Sequence, residues 1–546
     1  MWRAAICITA ALSWAGVQSA PAPTATPFPV VGAKTGINKN TGQTPARLNI
    51  NTLWARGGPQ WDLYILALSE LQAMNETDEL SYFGITGIHG FPHSAWNGVS
   101  HVDGAPNTGF CPHGDLLFVT WHRPYVALFE QVLVSHAVRL AGEYPPDLQP
   151  EYVGAAQTLR QPYWDWAADS TLPPATYAIN VTVRAPCGVI EMANPLRGYR
   201  FQQLPLESSF GGFLATYPQT IRCLGKGDLL SNITASNEAM VLAAKDLTTD
   251  VYDIFARERT FDNSGWRVSS LEFPHNLVHA LSVCNGTFSD INWAAFDPLF
   301  MLHHCNVDRL VAMWQVIHYE EDMFTNKATS TGQYGTIESS IVTADSALKP
   351  FFDENMNFLT SKSVRNITTF GYTYPEMPNW KMSPEARASY GRAQINSLYG
   401  EKDDNLARAL NGAGYPVSRG YYTAEITVDR SEIPLPAIIC LVAAQSVIGR
   451  MSLLAVPRTG VASGSLPLRE VLVGNHSMRD LPPEKVVSFL QEEMTTEIRR
   501  SDGRQVPVTT APSLHIQITS MEYIPRANDS SFPVFGNAQR WPVEVR

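Results

Sequence analysis

The sequence predicts a mainly α-helical protein, with a helical core from about residue 50 to 380 and a smaller β-rich domain from about 421 to 546. Apolar residues recur at helical spacing in several segments of the first part. Beyond Pro375 the composition changes to a mixture of proline, glycine and charge. From Tyr421 onward, short stretches alternate polar and apolar residues, which is typical of strands. These observations predict two domains joined by a linker over residues 381–420.

Five segments of the core have the periodicity of helices, namely residues 60–75, 115–141, 237–258, 270–281 and 297–318. Ser236 and Asn237 are candidate caps for the third. The fifth is expected to start at Asp297-Pro298, because proline is favoured in the first turn of a helix. Residues 172–235 are rich in proline and glycine and are predicted to be loops. Strands are predicted at residues 423–428 and 513–518.

Length and charge exclude some classes of function. A chain of 546 residues is too long for one ordinary domain, and 45% hydrophobic residues are enough for a substantial core. The formal net charge is −11, and lysine and arginine do not cluster. Because nucleic-acid binding needs clustered basic residues that neutralise phosphates, no nucleic-acid partner is expected.

The N-terminus resembles a secretory signal peptide over residues 1–19. Arg3 supplies a short positive region, Ala4–Trp14 is apolar, and Val17-Gln18-Ser19 fits the small-x-small cleavage pattern. The apolar run is too short to span a bilayer, and no later stretch is long enough. We therefore expect a secreted protein without a membrane anchor, whose catalytic core covers residues 20–380.

Seven Asn-x-Ser/Thr sequons support passage through the secretory route and are candidate glycosylation sites. They are Asn75, Asn180, Asn232, Asn285, Asn366, Asn475 and Asn528. Six cysteines remain after the signal peptide, too few for a disulfide scaffold in a chain of this length. Cys187 and Cys223 are a candidate pair, although the sequence does not establish it.

Histidine placement carries the functional argument. His275 and His279 are four residues apart, which places both imidazoles on one face of a helix, where they can hold one metal ion. The pattern alone is equally compatible with a structural role. A zinc protease would need glutamate directly after the first histidine, and Asn276 stands there instead, which counts against a zinc hydrolase.

His303 and His304 are adjacent, so on a helix they point about 100° apart and only one can face a given site. The other is expected to be buried and hydrogen-bonded, or to lie behind the ligands. Asp308 lies one turn beyond His304, where a carboxylate could orient an imidazole or pair with a charge; the alternative is an ordinary Asp–Arg surface pair.

A second group of histidines lies in the first half of the core. His122 is in the predicted helix 115–141 and His113 is in the loop before it, so the two can converge on a second ion. Cys111 stands two residues before His113 and is either a buried apolar residue or, beside a copper–oxygen site, a partner for oxidative cross-linking. Neutral imidazoles without carboxylate or thiolate favour copper that handles O2.

These residues resemble the motifs of fungal tyrosinases. Gly87-Ile-His89-Gly, Cys111-Pro-His113 and Trp121-His122-Arg-Pro-Tyr125 are similar to the first copper-binding region of that family. Three further segments are similar to the family's second copper-binding region. They are Pro162-Tyr-Trp-Asp-Trp166, His275-Asn-Leu-Val-His279 and Asp297-Pro through His303-His304-Cys-Asn-Val-Asp-Arg309. Phe370-Gly-Tyr-Thr-Tyr-Pro375 is similar to the tyrosine motif that closes the family's catalytic core.

The resemblance implies a type 3 centre of two copper ions on a four-helix bundle. It assigns one copper to His89, His113 and His122, and the other to His275, His279 and His304. His93 and His101 compete with His89, whose Gly-Ile-His-Gly context favours it. The resemblance also implies a thioether between Cys111 and His113. Cys305 departs from the usual small or polar residue, and its side chain is expected to face away from copper.

The implied activity is that of a tyrosinase, with O2 and small phenols as its partners. It would ortho-hydroxylate monophenols and oxidise o-diphenols to o-quinones, as in pigment formation or phenolic secondary metabolism. Glu272 and Asn276 flank His275 and could hold a water that accepts the phenolic proton; the alternative makes them a first-turn and a helix-surface residue. Two other hypotheses are compatible with these residues. One is a catechol or o-aminophenol oxidase without monophenolase activity, and the other is an O2-binding copper protein without turnover.

The β-rich region, residues 421–546, resembles the lid domain of longer fungal tyrosinases, which covers the copper site in a latent form. Cleavage between 380 and 420 is the expected activation route, and the dibasic pair Arg499-Arg500 is a second candidate. Neither the aromatic residue that would fill the site nor the oligomeric state follows from the sequence.

Overall fold

The computed structural model describes residues 26–545, with gaps at 226–230, 258–259, 262–270, 285, 322–325, 379, 381, 401–418, 469–477, 479–480 and 501–502. The expected signal peptide lies outside the described residues. In the described part, no helix combines the length and apolar character needed to cross a membrane.

The described residues contain eleven α-helices. They are α1 (Ile50–Arg56), α2 (Gly58–Ala73), α3 (Tyr82–Thr86), α4 (Phe118–Ala141), α5 (Gln149–Thr158), α6 (Ile233–Leu242), α7 (Ala244–Arg257), α8 (Glu272–Ser282), α9 (Leu299–Ile317), α10 (Pro384–Tyr399) and α11 (Pro483–Glu493).

The strands of the core are short hairpins, and those of the C-terminal domain form sheets. They are β1 (Asn180–Ala185), β2 (Gly188–Ala193), β3 (Ala328–Thr329), β4 (Ile341–Val342), β5 (Ala347–Phe352), β6 (Phe358–Thr360), β7 (Arg419–Asp429), β8 (Ala437–Ala443), β9 (Ser446–Leu453), β10 (Val461–Pro467), β11 (Thr495–Arg500), β12 (Gln505–Val506), β13 (His515–Ile524), β14 (Val534–Phe535) and β15 (Gln539–Val543).

The helical bundle is built around α4, which is buried along most of its length. It packs against α2 on one side and α9 on the other. Helix α8 meets α9 through the rings of His275 and His304, whose centroids are 4.8 Å apart. The apolar periodicity therefore predicted α2, α4, α8 and α9 correctly, because each buries its apolar side in a common core.

Two predictions about local structure in the core are wrong. In place of the single helix expected over 237–258, the described residues form two helices, α6 and α7. Helix α6 is capped by Asn232, whose side chain accepts a hydrogen bond from the Ala235 amide at 3.1 Å. The predicted loops between 172 and 235 also contain the antiparallel hairpin β1–β2. Most residues of this hairpin are at least partly exposed, so its sequence lacks the alternation of polar and apolar residues that predicts a strand.

The C-terminal domain has two antiparallel sheets. One has the order β10-β7-β13-β14, with β15 also paired to β13, and the other has the order β12-β11-β8-β9. Their apolar residues and the buried side of α11 form a second core. The predicted strands at 423–428 and 513–518 correspond to β7 and β13, which pair along their length. Arg499 and Arg500 lie inside β11, which is paired to β8.

Helix α10 lies within the predicted linker and contacts both domains. The Tyr399 hydroxyl donates to Asp165 of the core at 3.0 Å. The Asn396 amide donates to the carbonyls of Asp529 and Ser531 at 2.7 and 2.8 Å. Helix α10 therefore bridges the two domains, and residues 401–418 lie outside the described part.

The disulfide differs from the candidate pair. Cys223 is bonded to Cys284, with their Cα atoms 4.8 Å apart, so a Cys187–Cys223 pair is wrong. The fold decides this, since the Cys223 amide donates to the Val283 carbonyl at 2.8 Å and brings the two cysteines together. The buried Cys305 thiol donates to the Gln161 carbonyl at 3.4 Å and belongs to neither histidine group of the described residues.

Five of the seven sequon asparagines are exposed, which is what glycosylation would require. They are Asn75, Asn180, Asn232, Asn366 and Asn528. Asn285 and Asn475 lie outside the described residues. Glycosylation at all seven positions stays a prediction.

Candidate metal centre

The structure brings the first-half histidines together in one buried group. Possible ligand atoms of His89, Cys111, His113 and His122 all lie within 4.8 Å of one another. His122 is on α4, while His89 and His113 come from loops. The competing His93 instead contacts Asn292 at 3.0 Å, and the exposed His101 contacts the Ala105 carbonyl at 3.0 Å.

A second buried group is formed by His275, His279, His303 and His304, again within 4.8 Å. His275 and His279 share one face of α8, as their spacing predicted. The Nε2 atoms of His304 and His275 are 3.2 Å apart. His303 instead stacks on the ring of His275 at 4.8 Å, and neither of its ring nitrogens has a hydrogen-bond partner in the structure.

Hydrogen bonds at Nδ1 orient four of these imidazoles. Backbone carbonyls accept from three of them: Ile291 from His89 at 3.0 Å, Phe118 from His122 at 2.8 Å and Phe288 from His279 at 2.7 Å. The side-chain oxygen of Asn276 accepts from His275 at 2.9 Å. A proton held at Nδ1 leaves the lone pair of Nε2 available to a metal.

The Nε2 atoms of the second group then lie close together, and no hydrogen-bond donor of the protein lies between them. His275 Nε2 lies 3.1 Å from that of His279 and 3.2 Å from that of His304. Two ligands each about 2.0–2.1 Å from one ion stand roughly this far apart. His89 Nε2 is buried and has no hydrogen-bond partner in the structure. Both the donor set and these orphaned acceptors fit a metal bound by imidazole.

The two groups adjoin closely enough to form one centre. The rings of His122 and His304 stack at 4.1 Å with an interplanar angle of 13°, and those of His113 and His275 are 5.8 Å apart. Phe300 stacks on His304 at 4.2 Å and helps to hold it. A metal ion in each group would therefore face the other across a short gap.

Burial keeps these imidazoles in the neutral form that metals bind. It lowers the pKa of His122 to about 3 and the pKa of His279 to about 4. The pKa values of His89, His113 and His304 are lowered well below the ordinary value by burial and by their histidine neighbours. Protons therefore compete only weakly with a metal ion for these imidazole nitrogens near neutral pH.

Cys111 lies between two imidazoles of the first group. Its Sγ is 3.2 Å from His113 Nδ1 and 3.2 Å from His122 Nε2. Burial raises the pKa of the Cys111 thiol well above its usual range, so the thiolate that would compete as a ligand is disfavoured. The contact with His113 is compatible with the predicted thioether.

We expect the copper-loaded chain to contain a Cys111–His113 cross-link. Joining the sulfur to the ring removes two hydrogen atoms, so the peptide spanning both residues should be about 2 Da lighter than its unlinked form. Mass spectrometry of a proteolytic digest measures this. A Cys111→Ser variant is the control, and a native peptide that alkylates fully at Cys111 would contradict the prediction.

Of the two roles expected for Asp308, the structure shows pairing with a charge; it does not orient an imidazole, and it is not in a surface pair. Its carboxylate accepts from Arg123 at 2.6 Å and from Arg47 at 3.1 Å, and all three side chains are buried. The hydroxyls of Tyr372 and Tyr374 donate to it at 2.6 and 2.8 Å. The tyrosine motif thus closes a buried charge network behind the histidines. Arg309 pairs instead with the carboxylates of Asp165 and Glu376.

Glu272 and Asn276 are both buried beside the second group, so Asn276 is not a helix-surface residue, while Glu272 does stand in the first turn of α8. The Glu272 carboxylate accepts from the Gly114 amide, at 2.8 and 3.0 Å to its two oxygens. Burial raises the pKa of Glu272 to about 7, against the opposing effects of Arg430 and the Gly114 amide. A carboxylate with such a pKa, hydrogen-bonded to the amide of the residue that follows His113, is suited to exchange a proton near neutral pH.

The C-terminal domain covers this carboxylate from outside. Gly114 has a positive φ of 61°, and a Cβ built on it would lie 3.2 Å from Pro457 and 3.7 Å from the Arg430 guanidinium. Pro457 belongs to the segment between β9 and β10, and Arg430 to the turn after β7. That segment, Leu454-Ala-Val-Pro-Arg-Thr-Gly460, contains no aromatic residue.

Sequence reasoning missed the groups that have no side-chain motif. The carbonyls of Ile291 and Phe288 come from a loop distant in sequence from His89 and close to His279. Any residue can supply a carbonyl, so no pattern marks them. Arg430 was missed because its position depends on how two domains pack. The ring stacking of Phe300 could have been anticipated, since it lies one helical turn before His304.

Comparison with known proteins identifies both domains. Residues 79–317 match the family model described as the common central domain of tyrosinase, and residues 422–518 match the tyrosinase C-terminal domain. The first match contains all six candidate copper ligands. The second begins within β7 and ends within β13.

Curated relatives include fungal enzymes. The chain is 36% identical over 389 residues to a tyrosinase of Podospora anserina, covering 66% of this chain and 67% of that one. It is 33% identical over 410 residues to a tyrosinase of Neurospora crassa, covering 68% and 58%. It is 31% identical over 383 residues to polyphenol oxidase 3 of Agaricus bisporus, covering 66% of each.

Solved structures share the fold over nearly the whole chain. Recombinant mushroom tyrosinase superposes with a TM-score of 0.81 at 24% identity, over 95% of this chain and 100% of that one. A holo-protyrosinase of Aspergillus oryzae superposes with a TM-score of 0.71 at 20% identity, over 95% and 99%. The helical core and the C-terminal domain therefore occur together in both.

Proposed function

Because this chain belongs to the tyrosinase family, we propose that its two adjoining histidine groups hold a pair of copper ions with which it oxidises phenols by O2. The observation that carries the proposal is the convergence of free Nε2 atoms from α8 and α9, at 3.1 and 3.2 Å, next to a matching group around α4. The ligands assigned are His89, His113 and His122 for one ion and His275, His279 and His304 for the other.

The bound copper pair would supply the redox chemistry, taking up O2 and accepting electrons from the substrate. The residues of the chain hold and orient that pair. Hydrogen bonds at Nδ1 set the imidazole tautomers, and the stack of His122 on His304 joins the two groups. Complete burial of the six ligands excludes bulk water from the metals.

The reaction proposed is ortho-hydroxylation of monophenols and oxidation of o-diphenols to o-quinones. Hydroxylation requires the phenolic proton, with an ordinary pKa of about 10, to be removed near the metal. Glu272 is the carboxylate available for this, and Asn276 holds His275 beside it. This pair favours a tyrosinase over the second candidate, an oxidase of catechols or o-aminophenols without monophenolase activity.

The test is a substrate profile of the copper-loaded chain after limited proteolysis between Gly400 and Arg419. Oxygen uptake and product are measured with tyramine, 4-methylcatechol and o-aminophenol, and copper is measured per chain. A tyrosinase converts both tyramine and 4-methylcatechol. Conversion of 4-methylcatechol alone, even after a long lag, would make the protein a catechol oxidase. O2 binding without any product would make it a carrier. His101→Ala, outside both groups, is the control variant.

Replacing Glu272 with glutamine is expected to reduce kcat/KM for tyramine by about a hundredfold, the lower range for loss of an acid–base group. The effect on 4-methylcatechol should be under about tenfold, because a diphenol needs no hydroxylation. In the native chain the tyramine rate should also fall as the pH drops through about 7, where protonation of Glu272 removes the acceptor. Equal losses on both substrates would argue against this role.

The C-terminal domain is proposed to keep the enzyme latent until it is cut. Tyr421 of β7 donates to Asp253 of α7, and Arg450 pairs with Asp246, so the domain is held to the core beside the covered Glu272. Nicking between Gly400 and Arg419 should raise kcat/KM for 4-methylcatechol by at least about tenfold. Activity equal before and after the cut would refute latency, and a sample treated with inactivated protease is the control.

Secretion through the signal peptide at residues 1–19, with glycans at the sequons, is proposed as the route of export. The exposure of five sequon asparagines supports it.

A further inference from the structure

An open groove lies on the surface of the helical core, and none of the residues that line it is a candidate copper ligand. It has a volume of about 420 Å³ and lies where the end of α1, the start of α2 and the strand β1 meet. Trp54 and Trp61 line it from the helices, and Asn180 and Thr182 line it from the strand. The groove therefore combines aromatic rings with polar side chains.

The aromatic part of the groove is exposed to solvent. The side chain of Trp54 is 43% exposed, whereas that of Trp61 is only 5% exposed. Two glycines follow Trp54 closely in the chain and also line the groove, and a Cβ built on either Gly57 or Gly58 would meet no atom within 4 Å. A tryptophan ring beside open space is an apolar surface that a flat ligand can cover.

The walls of the groove are held in place by hydrogen bonds. Asp62 of α2 accepts a hydrogen bond from the Arg184 amide of β1 at 3.1 Å, which fixes the strand on the helix. The side-chain amide of Asn194 donates to the carbonyls of Ala175 and Ala178 at 2.8 and 3.0 Å, which fixes the loop between them. The groove is thus formed before a ligand binds, and this lowers the entropic cost of binding.

A sequon forms part of one wall, because Asn180, Val181 and Thr182 all line the groove. Asn180 is exposed, and its side-chain amide donates to Glu191 at 3.3 Å. A glycan on this nitrogen replaces one of its two hydrogens, so the bond to Glu191 can persist. Any sugar joined to Asn180 begins at the groove, and the covalent link gives it a high effective concentration there.

We propose that an N-glycan on Asn180 lies in this groove, with its first N-acetylglucosamine against the ring of Trp54. The C–H groups on one face of the sugar carry partial positive charge and meet the negative face of the indole ring. The groove is thereby a carbohydrate site that the chain fills with its own glycan, which shields Trp54 from solvent.

This inference goes beyond the oxidase function and rests only on the glycosylation proposed with export. In that modification the Asn180 amide nitrogen takes an oligosaccharide from a lipid pyrophosphate, which is the leaving group, and loses one proton.

The test is site-resolved removal of the glycans from the full chain secreted by a fungal host. Peptide N-glycosidase F hydrolyses the bond between asparagine and the first sugar and leaves aspartate, so mass spectrometry reads each released site as a gain of about 1 Da. We expect release at Asn180 to be at least about fivefold slower in the native chain than in a Trp54→Ala variant. Equal rates of release at Asn180 in the two chains overturn the inference.

Two controls separate docking of the glycan from a loosened fold. Release at Asn366, an exposed sequon that does not line the groove, should be the same in both chains. Leu242→Ala, which removes an apolar side chain that is 71% exposed on α6, should leave the protection of Asn180 unchanged. Faster release at Asn366 in Trp54→Ala, or lost protection of Asn180 in Leu242→Ala, would overturn the assignment to Trp54.

Two other outcomes also overturn the inference. An Asn180 without a glycan does so, whatever activity the copper site has. Protection of Asn180 that disappears when the protein is diluted would make a second copy of the chain, rather than the glycan, the occupant of the groove. Absence of oxidase activity in a chain that protects its Asn180 glycan would refute the proposed function and leave this inference standing.

A second measurement uses a free sugar as the probe. In an Asn180→Gln chain the groove has no attached glycan, and binding of N,N′-diacetylchitobiose is followed by saturation-transfer NMR. The disaccharide should bind, and adding Trp54→Ala should weaken its binding by at least about fivefold. Equal binding to the two chains, or no binding at millimolar disaccharide, overturns the inference, since the covalent link supplies a concentration on the order of millimolar.

Discussion

Replacing His304 with alanine is expected to remove one copper ion and nearly all oxidase activity. The imidazole of His304 approaches His275 Nε2 at 3.2 Å and stacks on His122 at 4.1 Å, so it belongs to one group and contacts the other. Its loss leaves the second copper with only two of its three assigned histidines, so that ion should no longer be held. We expect copper to fall from two ions per chain to about one, and kcat/KM for 4-methylcatechol to fall more than about a thousandfold.

The neighbouring His303 is the matched control for that experiment. It is equally buried and belongs to the same four-histidine group, but it stacks on His275, and neither of its ring nitrogens is within hydrogen-bonding distance of another Nε2 atom. His303→Ala should retain two copper ions, with a loss of stability from the cavity it leaves. Copper retained in His304→Ala and lost in His303→Ala would reverse the ligand assignment.

Replacing Asp308 with asparagine is expected to destabilise the core by about 3–5 kcal/mol, the cost of breaking a buried ion pair. The substitution keeps the shape of the side chain but leaves Arg47 and Arg123 without a carboxylate they share. Two tyrosine hydroxyls lose their charged acceptor as well. Chemical denaturation, followed by tryptophan fluorescence of the copper-free chain, measures the change.

Asp345→Asn is the control for this prediction, because Asp345 pairs with Lys362 on the surface and its side chain is 68% exposed. A surface pair contributes about 0–1 kcal/mol, so the control should unfold almost like the native chain. An Asp308→Asn variant as stable as the control would mean that the network behind the histidines is not structural.

The bundle and its ligands illustrate which features were accessible before the fold was known. The periodicity of α2, α4, α8 and α9 is a local property, since each apolar side must be buried whatever it packs against. The spacing of His275 and His279 is equally local, because a helix places residues four apart on one face. His89 was harder to select, since it and two nearby loop histidines have no periodicity to separate them. Its Gly-Ile-His-Gly context favoured it, and the structure places it in the buried group with His113 and His122.

The amino-acid order alone was enough to specify two domains, the helices of the core and the residue types of a dicopper centre, because these depend on periodicity and on short motifs. Packing alone decided the rest: that Cys223 joins Cys284, that the charges paired with Asp308 are Arg47 and Arg123, and that Arg430 of the second domain lies beside Gly114. Each of these contacts joins residues far apart in the chain. Their proximity follows from how whole elements bury their surfaces against each other, which no local pattern encodes.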